Sequence, residues 1–409
     1  MILKDGKRRI AIVSLDLLYI GGQIRDQLLK DLSSEFQESE LFISATHNHY
    51  APSTDPTKPL LGKSNPNYIR FVADTVSDLL RKIAAGPYSR GSIVYKVKTG
   101  PDLTINRRGI GWSRAIPPRY GMSNIPNPKG LKDDKIRMIE LLNESEEPEA
   151  ILWGYCCHPT GYPEPNTITA HYPGAIRRAL RKTYGQDMAI VFLQGFSGNV
   201  NPAVFSKRPA KILSKNAVEY AIFSLLNERD FGLFTKSEWD CWISKLGSSV
   251  VDLSMDSTCM SLDCRLSVLR GTTSLSSIGF GGGGSHQSIH SLYVDMLRRI
   301  TGSSNLPEHV HPNHNLSIHV ICIDTLKIVG ISAEPVSEYV PVVARMLNNH
   351  PFIPVGYIDD VFGYLPTEAM IAEGGYDVEG FIPYFGLRGS YKSGFQQEIE
   401  EVLKSLINQ

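Results

Sequence analysis

A chain of 409 residues can build a large core, either as two or three domain-sized units or as one large α/β domain. Lys plus Arg and Asp plus Glu number 42 each, so no basic field recommends nucleic acid or an anionic membrane as a partner. Hydrophobic content of 42% is that of an ordinary globular protein. The first ten residues are charged and lack the apolar core of a signal peptide. No run of about 18 apolar residues is present to cross a bilayer, so a cytoplasmic location without stable membrane insertion is expected. The six cysteines include no C-x-x-C pair and are few for a disulfide framework. Cys156 and Cys157 lie in an apolar run and read as reduced core residues.

In chain order, Arg9–Asp16 predicts a buried strand ending in an acid, residues 20–34 a helix, and Leu41–Ala45 a second strand. That strand delivers His47 and His49. Residues two apart in extended chain point the same way, so both imidazoles are expected to face one point just past the strand. One can hold a metal while the other moves protons. Pro52, Pro56 and Pro59 make 50–66 a loop, and Asn67–Ala85 carries apolar residues at helical spacing. Ser92–Lys98 alternates as a strand. Residues 107–130, rich in Gly, Pro and Arg, are expected to be a mobile loop.

Ile136–Leu142 and Ala150–Cys157 predict paired strands, the second ending in His158-Pro159. Pro173 opens a helix over Gly174–Tyr184, and the strand Met188–Leu193 runs into the glycine-bearing loop Gln194–Pro202. Ala210–Leu226 reads as helix, and further strands are expected within 227–275. A second mobile loop is expected over 279–287. Its glycines lack the Lys-Ser/Thr of a Walker loop. A short helix is expected over Ser288–Ile300. Leu316–Ile323 and Lys327–Ile331 predict a hairpin that leads to Glu334. The helix Val336–Leu347, the strand Pro354–Ile358, a loop carrying Tyr364 and Tyr376, and the helix Phe395–Leu406 complete the chain.

Four strands end alike: those leading to His47, His158, the Gly195–Asn199 loop and Glu334 run apolar, small, then polar. Strand ends gathered at one sheet edge build active sites there. Two histidines and a glutamate arriving this way form a plausible zinc set. A second histidine cluster, His309, His311 and His314, lies in a Pro/Asn loop and reads as lining the substrate entrance.

The motifs Ser44-Ala-Thr-His47-Asn-His49, Ile105-Asn-Arg107, His158-Pro159, Gly195-Phe-Ser-Gly-Asn-Val-Asn-Pro202, Ser332-Ala-Glu334-Pro335, Gly363-Tyr364-Leu-Pro-Thr367 and Glu373-Gly-Gly-Tyr376 together resemble the neutral/alkaline, non-lysosomal ceramidase family. They occur in the family's order along nearly the whole chain. The resemblance implies an α/β catalytic domain of mixed sheets flanked by helices. It is expected to fill residues 1–409 as a single unit without the family's C-terminal immunoglobulin-like domain. It implies one zinc ion on His47, His158, Glu334 and Tyr364, with His49, Arg107 and Tyr376 around the reacting carbonyl. Asn199, Arg108 and His311 are expected to meet the substrate. The chain leaves the family pattern at Asn48, at Tyr50-Ala51-Pro52, at His171 where an acid is usual, and at Phe196 and Asn199 in the glycine loop.

The reading that follows is a zinc-dependent hydrolase of a linear amide, acting on a small-molecule N-acyl compound such as an N-acetylated sugar or nucleotide-linked sugar. A catalytic zinc lowers the pKa of a water it holds to about 7. Arg107, Arg108, Arg114 and Arg119 are expected to receive an anionic part of such a substrate. Two further readings remain: a ceramidase-like lipid amidase, and an inactive binding protein on the same fold, which the substitutions at Asn48, His171 and Asn199 favour.

Overall fold

The computed structural model describes residues 1–113, 119–164, 166–204, 231, 234–279, 313–382, 384–385, 387 and 389–407. In order the chain forms β1 (Ile2–Lys4), β2 (Arg9–Leu15), α1 (Gly22–Asp31), β3 (Leu41–Ala45), α2 (Pro66–Ala85), β4 (Gly91–Thr99), β5 (Thr104–Trp112), β6 (Tyr120–Asn127), β7 (Lys135–Asn143) and β8 (Pro148–Tyr155). There follow α3 (His171–Tyr184), β9 (Ala189–Gln194), β10 (Val200–Pro202), α4 (Lys236–Met255), β11 (Met260–Leu262), β12 (Leu266–Gly279), β13 (Asn313–Ile323) and β14 (Leu326–Ile331). The last elements are β15 (Glu334–Pro335), α5 (Tyr339–Met346), β16 (Phe352–Val355), β17 (Tyr364–Leu365), α6 (Glu368–Glu373), β18 (Gly389–Tyr391) and α7 (Phe395–Ile407).

The expected α/β class with mixed sheets holds. One sheet has the order β1-β2-β3, with β2 and β3 parallel. A second runs β11-β4-β7-β8-β9, antiparallel except for β8 beside β9. A third runs β16-β14-β13-β12-β18, antiparallel except for β14 beside β16. Hydrogen bonds between loops and strands stitch the three together. Ala45 N donates to Tyr357 O, Gly356 N to Gln194 O, and Asp359 N to Ile43 O, each within 3.0 Å. Phe42, Leu193, Ile353 and Ile358 pack in the space between them.

Local chemistry explains the helices that flank the sheets. Pro66 occupies the first position of α2, and the Asn65 side chain accepts from the backbone N–H of Asn67 and Tyr68. The face Ile69, Ala73, Val76 and Leu80 is buried, as its spacing predicts. Of the further strands expected within 227–275, β11 and the start of β12 are present, but α4 was not foreseen. Its signals are a capping box between Thr235 and Glu238 and the buried stripe Trp239, Trp242, Leu246, Val250 and Leu253. That stripe packs with Tyr172, Ile176 and Leu180 of α3 over Trp153 and Phe192. Replacing either tryptophan by Ala is expected to cost about 3–5 kcal/mol.

Three further expectations are corrected. The segment expected as a mobile loop over 107–130 holds strand at 107–112 and 120–127: β5 and β6 pair antiparallel from Asn106↔Asn127 to Trp112↔Tyr120, and 114–118 lie outside the described residues. Their glycines had masked the strands. The helix expected from Val336 begins at Tyr339, because Glu334-Pro335 pairs with Tyr364-Leu365 as a short parallel ladder. The strand expected at Pro354–Ile358 is Phe352–Val355. The helices expected at Ala210–Leu226 and Ser288–Ile300, and the loop at 280–287, lie outside the described residues.

Candidate metal centre and active site

The site is assembled at the ends of strands, but from three sheets rather than one edge. β3 leads to His47, β8 to His158, and β14 to Glu334 at the start of β15. All three side chains are fully buried. His47 has a left-handed backbone, with φ 58°, which is uncommon for a residue with a side chain. The kink ends the extended run. His47 and His49 do converge, with their Nε2 atoms 3.3 Å apart, but through this turn and not through strand alternation. The His47 ring stacks on Tyr357 at 4.0 Å between centroids.

Backbone carbonyls fix the tautomers of the two buried histidines. His47 Nδ1 lies 3.1 Å from Leu18 O, and His158 Nδ1 lies 2.9 Å from Ser197 O. A carbonyl only accepts, so each Nδ1 carries a proton and, in the neutral ring, each Nε2 presents a lone pair. Those two Nε2 atoms are 2.8 Å apart. Glu334 Oε2 lies 3.2 Å from the first and 3.7 Å from the second, and no donor bonds to it. Burial alone would raise the Glu334 carboxyl. The interaction with His47 and the hydroxyl of Tyr19 reverse this and hold it below the ordinary carboxylate range. Three acceptor atoms thus meet in a buried space with no donor among them. Such an arrangement repels itself unless a cation or a proton sits between, and its donor set suits a divalent metal. Among the described residues, His47, His49 and His158 are the histidine group whose ligand atoms all lie within 4.8 Å. Two candidate triples therefore share the His47–His158 edge, one completed by His49 and the other by Glu334.

The surroundings sort these neighbours. His49 alone of the three histidines is exposed to solvent. Close packing of protein around its ring, and then His47 and Arg107, push it well below the usual imidazole range, toward the neutral form that can accept a proton. Burial, followed by His47, does the same to His158. Tyr364 pairs with Glu334 across the β15–β17 ladder and is buried. Its hydroxyl accepts from Arg107 Nη2 at 2.9 Å.

Arg107 and Arg108 both reach Asp377, although adjacent residues of a strand point to opposite faces. A bulge between Asn106 and Arg108 makes this possible. Arg107 Nη2 bonds Asp377 Oδ1 at 2.6 Å, and its guanidinium sits 5.3 and 5.5 Å from the ring centres of Tyr364 and Tyr376. Arg108 bonds Asp377, Glu373 and the Gly374 carbonyl. Arg107 faces the site, and Arg108 is consumed behind it. Asp377 and Tyr376 lie on a single π-helical turn, a local widening common at functional sites.

Asn199 is also occupied. Its amide donates to Glu338 Oε2 at 2.7 Å and accepts from Ser337 N at 2.8 Å, and its carbonyl holds Arg107 N. It is fully buried, so its expected contact with substrate is replaced by a bracing role. The glycine loop braces too. A Cβ on Gly198 would lie 2.7 Å from the Glu334 carbonyl oxygen, which explains why only glycine fits. Asn48 Nδ2 holds Thr169 O, and Tyr50 stacks on His171 at 5.6 Å. The departures from the ceramidase pattern on either side of His49 thus contact one loop and one another. His311, like His309 and Arg114, lies outside the described residues. Cys156 and Cys157 are free and buried, as expected, and burial raises both thiols.

Compared with solved structures, the chain is similar over nearly its full extent to a neutral ceramidase from Pseudomonas aeruginosa. The TM-score is 0.68 at 13% identity, covering 98% of this chain and 67% of that one. The chain has the ceramidase fold. A structure described as ceramidase complexed with C2 gives a TM-score of 0.66 at 12% identity, covering 99% of this chain and 68% of the other. No protein-family model and no curated protein matches. The ceramidase-like architecture therefore rests on three-dimensional similarity and on the ordered motifs. No described helix is long and apolar enough to cross a membrane.

Proposed function

We propose that this protein is a metal-dependent amidohydrolase that cleaves an N-acyl bond. The observation that carries the reading is the convergence of His47 Nε2, His158 Nε2 and the unpartnered Glu334 Oε2, beside a solvent-exposed neutral histidine. His47, His158 and Glu334 would hold one zinc ion, with Tyr364 as the fourth protein ligand. A zinc ion there supplies a Lewis acid for the amide carbonyl and for water.

The chain's own residues do the rest. His49 accepts a proton from the attacking water as the new C–O bond forms, then delivers it to the amine nitrogen as the C–N bond breaks. The amine leaves neutral and the acid product keeps the acyl group. Arg107, held charged against Tyr364 and Asp377, and Tyr376, whose hydroxyl burial keeps protonated, donate to the carbonyl oxygen as its charge develops.

For the substrate, the leading reading remains a compact N-acyl compound such as an acylated sugar. Arg107 and Arg108 do not add weight to an anionic group, because their charges are already balanced by Asp377 and Glu373. One observation favours the lipid-amide reading: the β5–β6 hairpin that carries Arg107 also exposes Ile110, Trp112 and Tyr120, at 68%, 38% and 67%. The test is amine release from N-acyl sugars, sugar nucleotides and ceramides, each with a chelator control. Chelator-sensitive release from the sugar compounds supports the leading reading, and release from ceramide alone moves the assignment to lipid amides. A metal-free protein with no release on any of them would mark an inactive binding protein and overturn the proposal.

A further inference from the structure

The carboxylate that completes the acceptor triangle is held from behind by a residue none of the sequence motifs contains. Tyr19 lies just after β2 and is 4% exposed. Its hydroxyl donates to Glu334 Oε1 across a sequence separation of 315 residues. The other oxygen, Oε2, has no donor and points at the two bare imidazole nitrogens. The two oxygens of one carboxylate are thus divided, one tied and one free.

Tyr19 is itself fixed by contacts that owe nothing to Glu334. Thr54 Oγ1 donates to the Tyr19 carbonyl at 2.7 Å. The ring meets Phe385 edge-on at 5.7 Å and lies 5.6 Å from the Lys58 ammonium, which is ion-paired with Asp55. The residue before it, Leu18, supplies the carbonyl that orients His47. One dipeptide therefore sets the geometry of two of the proposed ligands. A buried phenol needs an acceptor wherever it sits. What singles this one out is the acceptor it has, a carboxylate whose remaining oxygen faces a site for a cation.

We propose that Tyr19 is a positioning residue for the metal centre. By holding Oε1 it presents Glu334 Oε2, in a single orientation, toward the cation shared with His47 and His158. The inference rests on the metal reading above. Outer partners of metal-binding residues typically contribute 10- to 100-fold in affinity.

The test is zinc affinity, measured by competition with a chromophoric chelator, for wild type, Tyr19→Phe and Tyr339→Phe. Tyr339→Phe is the control: it removes an equally buried hydroxyl, one that donates to the Pro366 carbonyl and bonds none of the proposed ligands. Tyr19→Phe is expected to bind zinc 10- to 100-fold more weakly while Tyr339→Phe binds as wild type does. Cobalt substituted into the site should show an altered visible spectrum in Tyr19→Phe alone. Should Tyr19→Phe not fold, Tyr19→Met, which also lacks the donor but fills the space with a pliant chain, is the variant to measure. Wild type that binds no zinc overturns the metal reading. Wild type that binds zinc, with equal affinity in the Tyr19 variant, overturns only the role of Tyr19.

Discussion

The two sides of the site are built on opposite electrical plans. On the strand-end side, His47, His158 and Glu334 contribute acceptors only, each fixed from behind by a carbonyl or a hydroxyl. On the hairpin side, Arg107 and Arg108 meet Asp377 and Glu373, so the charges there are already balanced. The first side is a set of acceptors that could hold a cation. The second has its charges paired within the protein and, in the proposed reaction, donates from a rigid frame. A residue's formal charge thus says little about what it can bind. Two arginines that look like an anion site in the sequence are engaged, while two imidazoles whose Nε2 atoms meet mark the candidate metal site.

The comparison breaks most easily on the strand-end side. His47→Ala or His158→Ala should reduce bound metal from about one ion per chain to nearly none by elemental analysis, because each removes a ligand from a buried set. Retained metal in either variant would show that the acceptors do not form the site. His49→Ala should keep its metal yet lose about 10²–10⁴ in turnover, as expected for a positioned proton carrier. Simultaneous loss of metal would instead make His49 a ligand, through the histidine triple that the geometry also allows.

The hairpin side is probed by Asp377→Asn. It leaves Arg107 buried without a carboxylate partner and Arg108 with Glu373 alone, and breaking such a pair is expected to cost about 3–5 kcal/mol in denaturant unfolding. Metal content should stay unchanged, whereas loss of metal with no loss of stability would contradict the division of labour.

A smaller effect separates both sides from the scaffold. His171 and His319 are buried away from the ligand set, and burial lowers each to about 3. Unfolded histidine takes up its proton near 6.5. Stability is therefore full above that pH and is lost as pH falls toward 3, by about 2 kcal/mol per histidine between pH 7.5 and 5. His319→Gln should be less stable than wild type at pH 7.5 but show a shallower loss on acidification. An unchanged slope would mean that His319 titrates normally.

Much of this was legible in the sequence. β2, β3, α2, the β7–β8 pair and the β13–β14 hairpin follow from apolar periodicity, and the strand-end pattern picked out His47, His158 and Glu334. The hairpin β5–β6 was not legible, because Gly109, Gly111 and Gly121 carry no strand propensity and the pairing partners had to be seen to be counted. α4 carried a readable signal in Thr235–Glu238 and its tryptophan stripe. Tyr19 and Asp377 could not be read as site residues, because their meaning lies in partners hundreds of residues away. The kink at His47 was hidden as well, since nothing in Thr-His-Asn announces a left-handed residue.

The measurement that bears most directly on the central claim is metal content and amide hydrolysis on one preparation, before and after a chelator. The account predicts about one zinc ion per chain in wild type, none in His158→Ala, and hydrolysis that disappears with the metal and returns on adding it back. A wild-type protein that hydrolyses an N-acyl substrate with no bound metal and no response to the chelator would contradict it.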